Sequence, residues 1–98
     1  MYLIQILLPT TNFAVSEPVL ASLNRTLVEK FGGVTAYTQS PAKGKWLTGG
    51  KEERDHIVIL EVMTDEINAT WWKTLRKQLE HDLNQKEIVI RSQPMDKL

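Results

Sequence analysis

The stretch His56–Met63, H-I-V-I-L-E-V-M, is the longest β-branched, apolar run of the chain. Turn-forming residues precede it and a helix start follows it, so it reads as a strand. Its apolar side chains fall at both odd and even positions, which places it in the interior of a sheet rather than at an edge. One residue breaks the run. Glu61 is a carboxylate in the middle of a hydrophobic strand.

Toward the N-terminus, Tyr2–Leu8 is a second apolar strand, closed by Pro9 and broken at its centre by Gln5. Ser16 then has the character of a helix N-cap, with Glu17 and Pro18 in the first turn. Leu20, Leu23, Leu27 and Phe31 recur at spacings of three and four, one apolar helix face, and Gly32-Gly33 supplies a left-handed stop. Val34–Gln39 alternates and carries β-formers. Ser40–Asp55 is the least regular stretch, with Pro41, three glycines and many charges. It reads as a long hairpin connection, with room for Lys45–Leu47 to continue the strand.

Toward the C-terminus, Asp65 suits an N-cap and Glu66 the positive end of a helix. Ile67, Trp71, Leu75, Leu79 and Leu83 recur every four residues, which puts Trp71 in the core stripe and Trp72 at its border. Asn84-Gln85 ends this helix, and Glu87–Gln93 forms a last strand before Pro94. The order strand, helix, strand, strand, helix, strand is the split βαβ arrangement. The expected fold is therefore α+β and ferredoxin-like, one domain over residues 1–98, with both helices on one face of a four-stranded antiparallel sheet.

The period of two along each strand separates the faces of that sheet. Ile4, Ile6 and Leu8, with Val34 and Ala36, with Val58, Leu60 and Val62 and with Ile88 and Ile90, form a wholly apolar set expected under the helices. The opposite set is mixed: Leu3, Gln5 and Leu7; Thr35, Tyr37 and Gln39; Ile57, Ile59, Glu61 and Met63; Val89, Arg91 and Gln93. In a ferredoxin-like sheet the first and third strands are central and the fourth flanks the first. Gln5, Glu61 and Arg91 then approach one another across neighbouring strands.

Two readings of that cluster follow. In the first, Gln5, Glu61, Arg91 and Gln93 form a satisfied polar network at a homodimer interface where two sheets meet. In the second, Tyr37, Trp46 and Arg91 bind a small anionic or carbonyl ligand, and Glu61 or His56 carries a proton, which would make the chain a small cofactor-independent enzyme or binding protein. His56 lies beside the hairpin with Arg54, Asp55 and Tyr37 in reach, whereas His81 stands alone on a helix.

Composition narrows the classes further. Hydrophobic residues make up 42% and charged residues 24%, as in ordinary globular proteins. Twelve basic residues balance twelve acidic ones, without the basic excess of a general nucleic-acid binder. The third strand also lacks the aromatics of an RNA-binding version of this fold and places Glu61 where phosphate would lie. There is no cysteine, hence no disulfide, thiolate nucleophile or Cys-based zinc site, which suits a reducing cytoplasmic setting. The histidines fit no metal-ligand spacing, and no metal or cofactor is expected. No run approaches the roughly 20 apolar residues of a membrane span, and the apolar start, interrupted by Gln5 and Pro9, lacks the basic n-region of a signal peptide. The segment G-K-W-L-T-G-G-K fails as a phosphate-binding loop, because Gly50 stands where the lysine belongs.

The segments F-G-G-V-T-A-Y (Phe31–Tyr37), S-P-A-K-G-K-W (Ser40–Trp46), V-M-T-D-E (Val62–Glu66), W-W (Trp71–Trp72) and I-V-I-R-S-Q-P (Ile88–Pro94) resemble a family of short, uncharacterised bacterial proteins with no assigned activity. The resemblance implies a bacterial source and a small stand-alone domain, and it brings no catalytic residues with it. Small ferredoxin-like proteins of the dimeric α+β barrel type offer an analogy of fold, and some of those are cofactor-free monooxygenases, isomerases or dehydratases. Fold does not fix function.

Overall fold

The computed structural model describes the backbone of residues 1–9, 13–48 and 51–98, and side chains within 1–9, 17–37 and 57–98. The elements are β1 (Tyr2–Pro9), α1 (Phe13–Phe31), β2 (Thr35–Thr48), β3 (Lys51–Thr64), α2 (Ala69–Asp82) and β4 (Val89–Pro94). The strands form one sheet in the order β2-β3-β1-β4, with every neighbouring pair antiparallel. This is the expected ferredoxin-like βαββαβ fold, with β1 and β3 at the centre.

One face of the sheet carries the core. Ile4, Ile6 and Leu8 of β1 and Val58, Leu60 and Val62 of β3 are all buried, with Leu60 fully inaccessible. Leu23 and Leu27 of α1, Trp72 and Leu79 of α2, and Ile88 ahead of β4 close over them. No polar side chain is buried among the described residues. Burying aliphatic surface at ~25 cal/mol per Å² gives this layer its stability, and no hydrogen-bond geometry is needed to hold it.

The helix ends follow from local chemistry. Gly32 adopts φ 81° and its N–H returns to the Val28 carbonyl at 2.8 Å, so α1 stops at the expected glycine pair. At the end of α2, Asn84 takes φ 52°, its N–H donates to the His81 carbonyl, and the Gln85 N–H donates to the Glu80 carbonyl. That pair of bonds is a Schellman motif built on asparagine instead of glycine. The Glu80 carboxylate then accepts from the Ile88 N–H at 2.9 Å and ties the start of β4 to α2.

Four local expectations are corrected. The first helix begins at Phe13 rather than at a Ser16 cap, and Pro18 lies inside it. The second is capped by Asn68, not Asp65: the Asn68 side-chain oxygen accepts from the Trp71 N–H at 3.0 Å, with the Asn68 backbone extended. Ile67 therefore precedes the helix and is exposed. The two tryptophans exchange roles, with Trp72 buried at 7% exposure and Trp71 half-buried. Trp72 stacks on Phe31 at 5.3 Å while Trp71 meets Phe31 edge-on at 5.5 Å and carries the Lys30 ammonium 4.7 Å over its ring. This aromatic cluster joins the end of α1 to the start of α2.

The fourth correction concerns the hairpin. The stretch expected as an irregular connection is strand: β2 continues to Thr48 and β3 begins at Lys51, ahead of His56. Pairing with β1 ends at Pro9–Ile57, whereas pairing between β2 and β3 runs on from Ala42–Ile57 to Thr48–Lys51. Lys51–His56 are thus paired to β2 alone, as a two-stranded ribbon continuing past the four-stranded body. Between Tyr37–Ile59 and Ala42–Ile57 the register shifts, so that Thr38–Pro41 stand against Val58. A strand cannot donate a ladder hydrogen bond from proline, and a bulge accommodates Pro41.

Candidate functional site

Both helices lie on the apolar face of the sheet, so the opposite face stays open. Register brings its polar residues into one row. Gln5 of β1 is paired with Glu61 of β3 on one side and with Arg91 of β4 on the other. Tyr37 of β2 is paired with Ile59, one step along the same face from Glu61.

The side chains bond in sequence along that row. Arg91 Nε donates to Gln5 Oε1 at 2.8 Å, Gln5 Nε2 donates to Glu61 Oε1 at 2.6 Å, and the Tyr37 hydroxyl donates to Glu61 Oε2 at 3.0 Å. The chain Arg91–Gln5–Glu61–Tyr37 therefore crosses all four strands. Its electrostatics are consistent from end to end. The guanidinium can only donate and the carboxylate only accept, so the Gln5 amide has a single satisfying orientation between them. The carboxylate accepting from the Tyr37 phenol, together with its negative charge, raises the Tyr37 pKa above the ordinary value of 10.0. Tyr37 is then a neutral donor at physiological pH, and both Glu61 oxygens are engaged. The arrangement fixes the four side chains relative to one another across the sheet.

Half-buried Leu3, Leu7, Ile57 and Ile59 lie on the same face as the row, and Met63 and Val89 are 48% and 44% exposed. An open face with this much aliphatic surface is characteristic of a contact surface.

Of the residues singled out in the sequence, Gln5, Tyr37, Glu61 and Arg91 are brought together, with Tyr37 inside the row. Gln93 stands on the same face opposite Leu3, exposed. Trp46 and His56 are placed only by backbone register, opposite Glu53 and Lys43 in the ribbon. Their side chains lie outside the described residues, so the ligand-binding role of Trp46 and the proton-carrying role of His56 fall there too. A groove of about 340 Å³ lies elsewhere, between the helices, with Val19, Leu23, Leu75 and Leu79 at its floor and Gln78 and Asp82 at its rim. Among the described residues no three His, Cys, Asp or Glu side chains converge as a metal-sized ligand set, and no helix is long and apolar enough to cross a membrane.

No protein-family model matches this chain, and no curated protein does. Solved structures do. The divalent cation tolerance protein CutA1 from Thermus thermophilus superposes with a TM-score of 0.64 at 18% identity, over 99% of this chain and 86% of that one. The periplasmic divalent cation tolerance protein CutA from Archaeoglobus fulgidus gives 0.61 at 17% identity, over 99% and 86%. A PII-like protein CutA from Nostoc sp. PCC 7120 gives 0.57 at 18% identity, over 98% and 82%. At these identities the likeness is one of fold. These structural neighbours are a named group of small proteins, whereas the sequence segments resemble proteins with no assigned activity.

Proposed function

We propose that this chain is a self-associating, non-catalytic domain whose open sheet face is the contact between copies. The observation that carries the proposal is the row Arg91–Gln5–Glu61–Tyr37, bonded internally and flanked by aliphatic side chains on the face that the helices leave uncovered. A second copy laid on that face would bury Met63 and Val89 and exclude water from the row. The smallest assembly of this kind is a twofold homodimer. The cysteine-free composition supports a cytoplasmic setting, although one structural neighbour is described as periplasmic.

The engaged state of both Glu61 oxygens and the raised pKa of Tyr37 favour this reading over proton-transfer chemistry at the same residues. Native mass spectrometry of the purified protein at micromolar concentration tests it. A discrete multiple of the chain mass, split by the replacement of Ile59 with Asp at the centre of the open face, is the expected result. A monomer at tens of micromolar would refute it.

A further inference from the structure

Resting on the reading of the open face as the contact between copies, we infer that the thioethers at one corner of that face form a reversible oxidation site, through which a hydroperoxide loosens the assembly. The chain has three methionines, Met1, Met63 and Met95, and register brings all three to that corner. Met63 of β3 stands opposite Leu3, and Met1 is the next residue toward the N-terminus on the same face. Met95 follows the β4 ladder, its N–H donating to the Met1 carbonyl at 3.0 Å, which sets it opposite Met1. Met63 and Met1 are exposed, whereas Leu60 on the covered face of the same sheet is fully inaccessible. β2 begins at Thr35, opposite Glu61, so it does not cover the flank of Met63.

Cysteine is absent from the chain, which leaves the thioether as the side-chain group open to reversible two-electron oxidation. The sulfur gives an electron pair to the terminal oxygen of a hydroperoxide. An S–O bond forms, the O–O bond breaks, and the peroxide departs as water or an alcohol. The resulting sulfoxide is a polar acceptor where a flexible apolar group stood. On an open face that costs little, because water donates to it. In a closed contact the sulfoxide needs a donor, and the surroundings of Met63 are poor in them. Leu3 and Met1 are apolar, the Glu61 carboxylate two residues along can only accept, and Gln5 Nε2 already donates to Glu61. Oxidation therefore favours the separated chain, and reduction of the sulfoxide restores the contact. Neither step depends on how many copies assemble.

Peroxide titration of the folded chain tests the site. Hydrogen peroxide is added at low excess, peptide mass mapping locates the oxygen taken up, and native mass spectrometry with sedimentation over a concentration series reports assembly. Far-ultraviolet circular dichroism reports on folding. Conversion of Met63 to its sulfoxide is expected to weaken self-association about tenfold or more. A methionine sulfoxide reductase with a thiol reductant is expected to recover it. Met63→Leu keeps the apolar volume and removes the sulfur, so it should assemble like the unaltered chain and lose most of the response to peroxide. Met63→Gln places a polar group there without an oxidant and should weaken assembly to a similar extent. Should peroxide disturb the fold through another side chain, that variant carries the test. Full oxidation of Met63 with assembly unchanged, or a Met63→Leu chain as sensitive to peroxide as the unaltered one, would overturn the oxidation site while leaving self-association standing. So would a Met63→Gln chain that assembles as tightly as the unaltered one. A chain monomeric before any peroxide is added would instead refute the proposed function, and this inference with it.

Discussion

Alternate residues of β1 live in different surroundings. Ile4, Ile6 and Leu8 are 2%, 1% and 4% exposed under the helices, whereas Leu3, Gln5 and Leu7 on the other face are half-buried with no helix above them. The covered face is entirely apolar, and the open face carries a polar row through its middle. The difference has a physical logic. Covalent connections fix where α1 and α2 land on the sheet, so packing alone suffices there. A surface closed by a separate molecule has no such connection, and directional bonds can supply the orientation instead.

The contrast can be broken most forcefully on the covered face. Leu60→Ala removes a fully buried side chain and should cost ~2–5 kcal/mol, seen as a lower melting temperature at every protein concentration. The matching change on the open face, Ile59→Ala, should cost the isolated chain less than about 1.5 kcal/mol, while making the melting temperature fall steeply on dilution. Equal, concentration-independent losses at the two positions would erase the distinction between the faces. A smaller effect separates the tryptophans. Trp72→Ala should destabilise by ~3–5 kcal/mol and Trp71→Ala by clearly less, as read from urea midpoints.

How far these features were legible in the sequence follows from the same contrast. β1, β3 and the two faces could be read because a strand under helices must alternate, and Gln5, Glu61 and Arg91 stood out as polar breaks in that alternation. The extension of β2 and β3 could not be read. A ribbon paired only with itself has no helix-covered face, so Lys43–Lys45 and Lys51–Asp55 carry charges and glycine where a pattern would be sought. The start of α2 was read three residues early because Asp65 is itself a good cap residue, and only the bond from the Trp71 N–H places the cap at Asn68. The Tyr37–Glu61 bond was hidden for a different reason. It runs diagonally across a strand pair, and no spacing within the chain announces it.

The smallest expected effects are the capping and titration changes, and they sharpen the contrast without breaking it. Asn68→Ala removes the side-chain acceptor of the Trp71 N–H and should cost ~1 kcal/mol in a thermal melt. The Tyr37 phenol, with its pKa raised in the folded protein, adds stability that is complete below its ordinary value of 10.0 and disappears as pH climbs through the raised value. Phenolate absorbance should therefore show a component titrating late, and Glu61→Gln should bring that component back toward 10.0. A Tyr37 titration indifferent to Glu61→Gln would contradict the bond between them.

Gln5 has a consequence for how such a protein could diverge. A primary amide offers a donor at one end and an acceptor at the other, and it can exchange them by turning over. A chain with the signs of residues 61 and 91 reversed would keep Gln5 unchanged, because the amide would then donate toward residue 91 and accept from residue 61. The neutral residue at the centre therefore leaves the sheet free to carry either polarity across its strands.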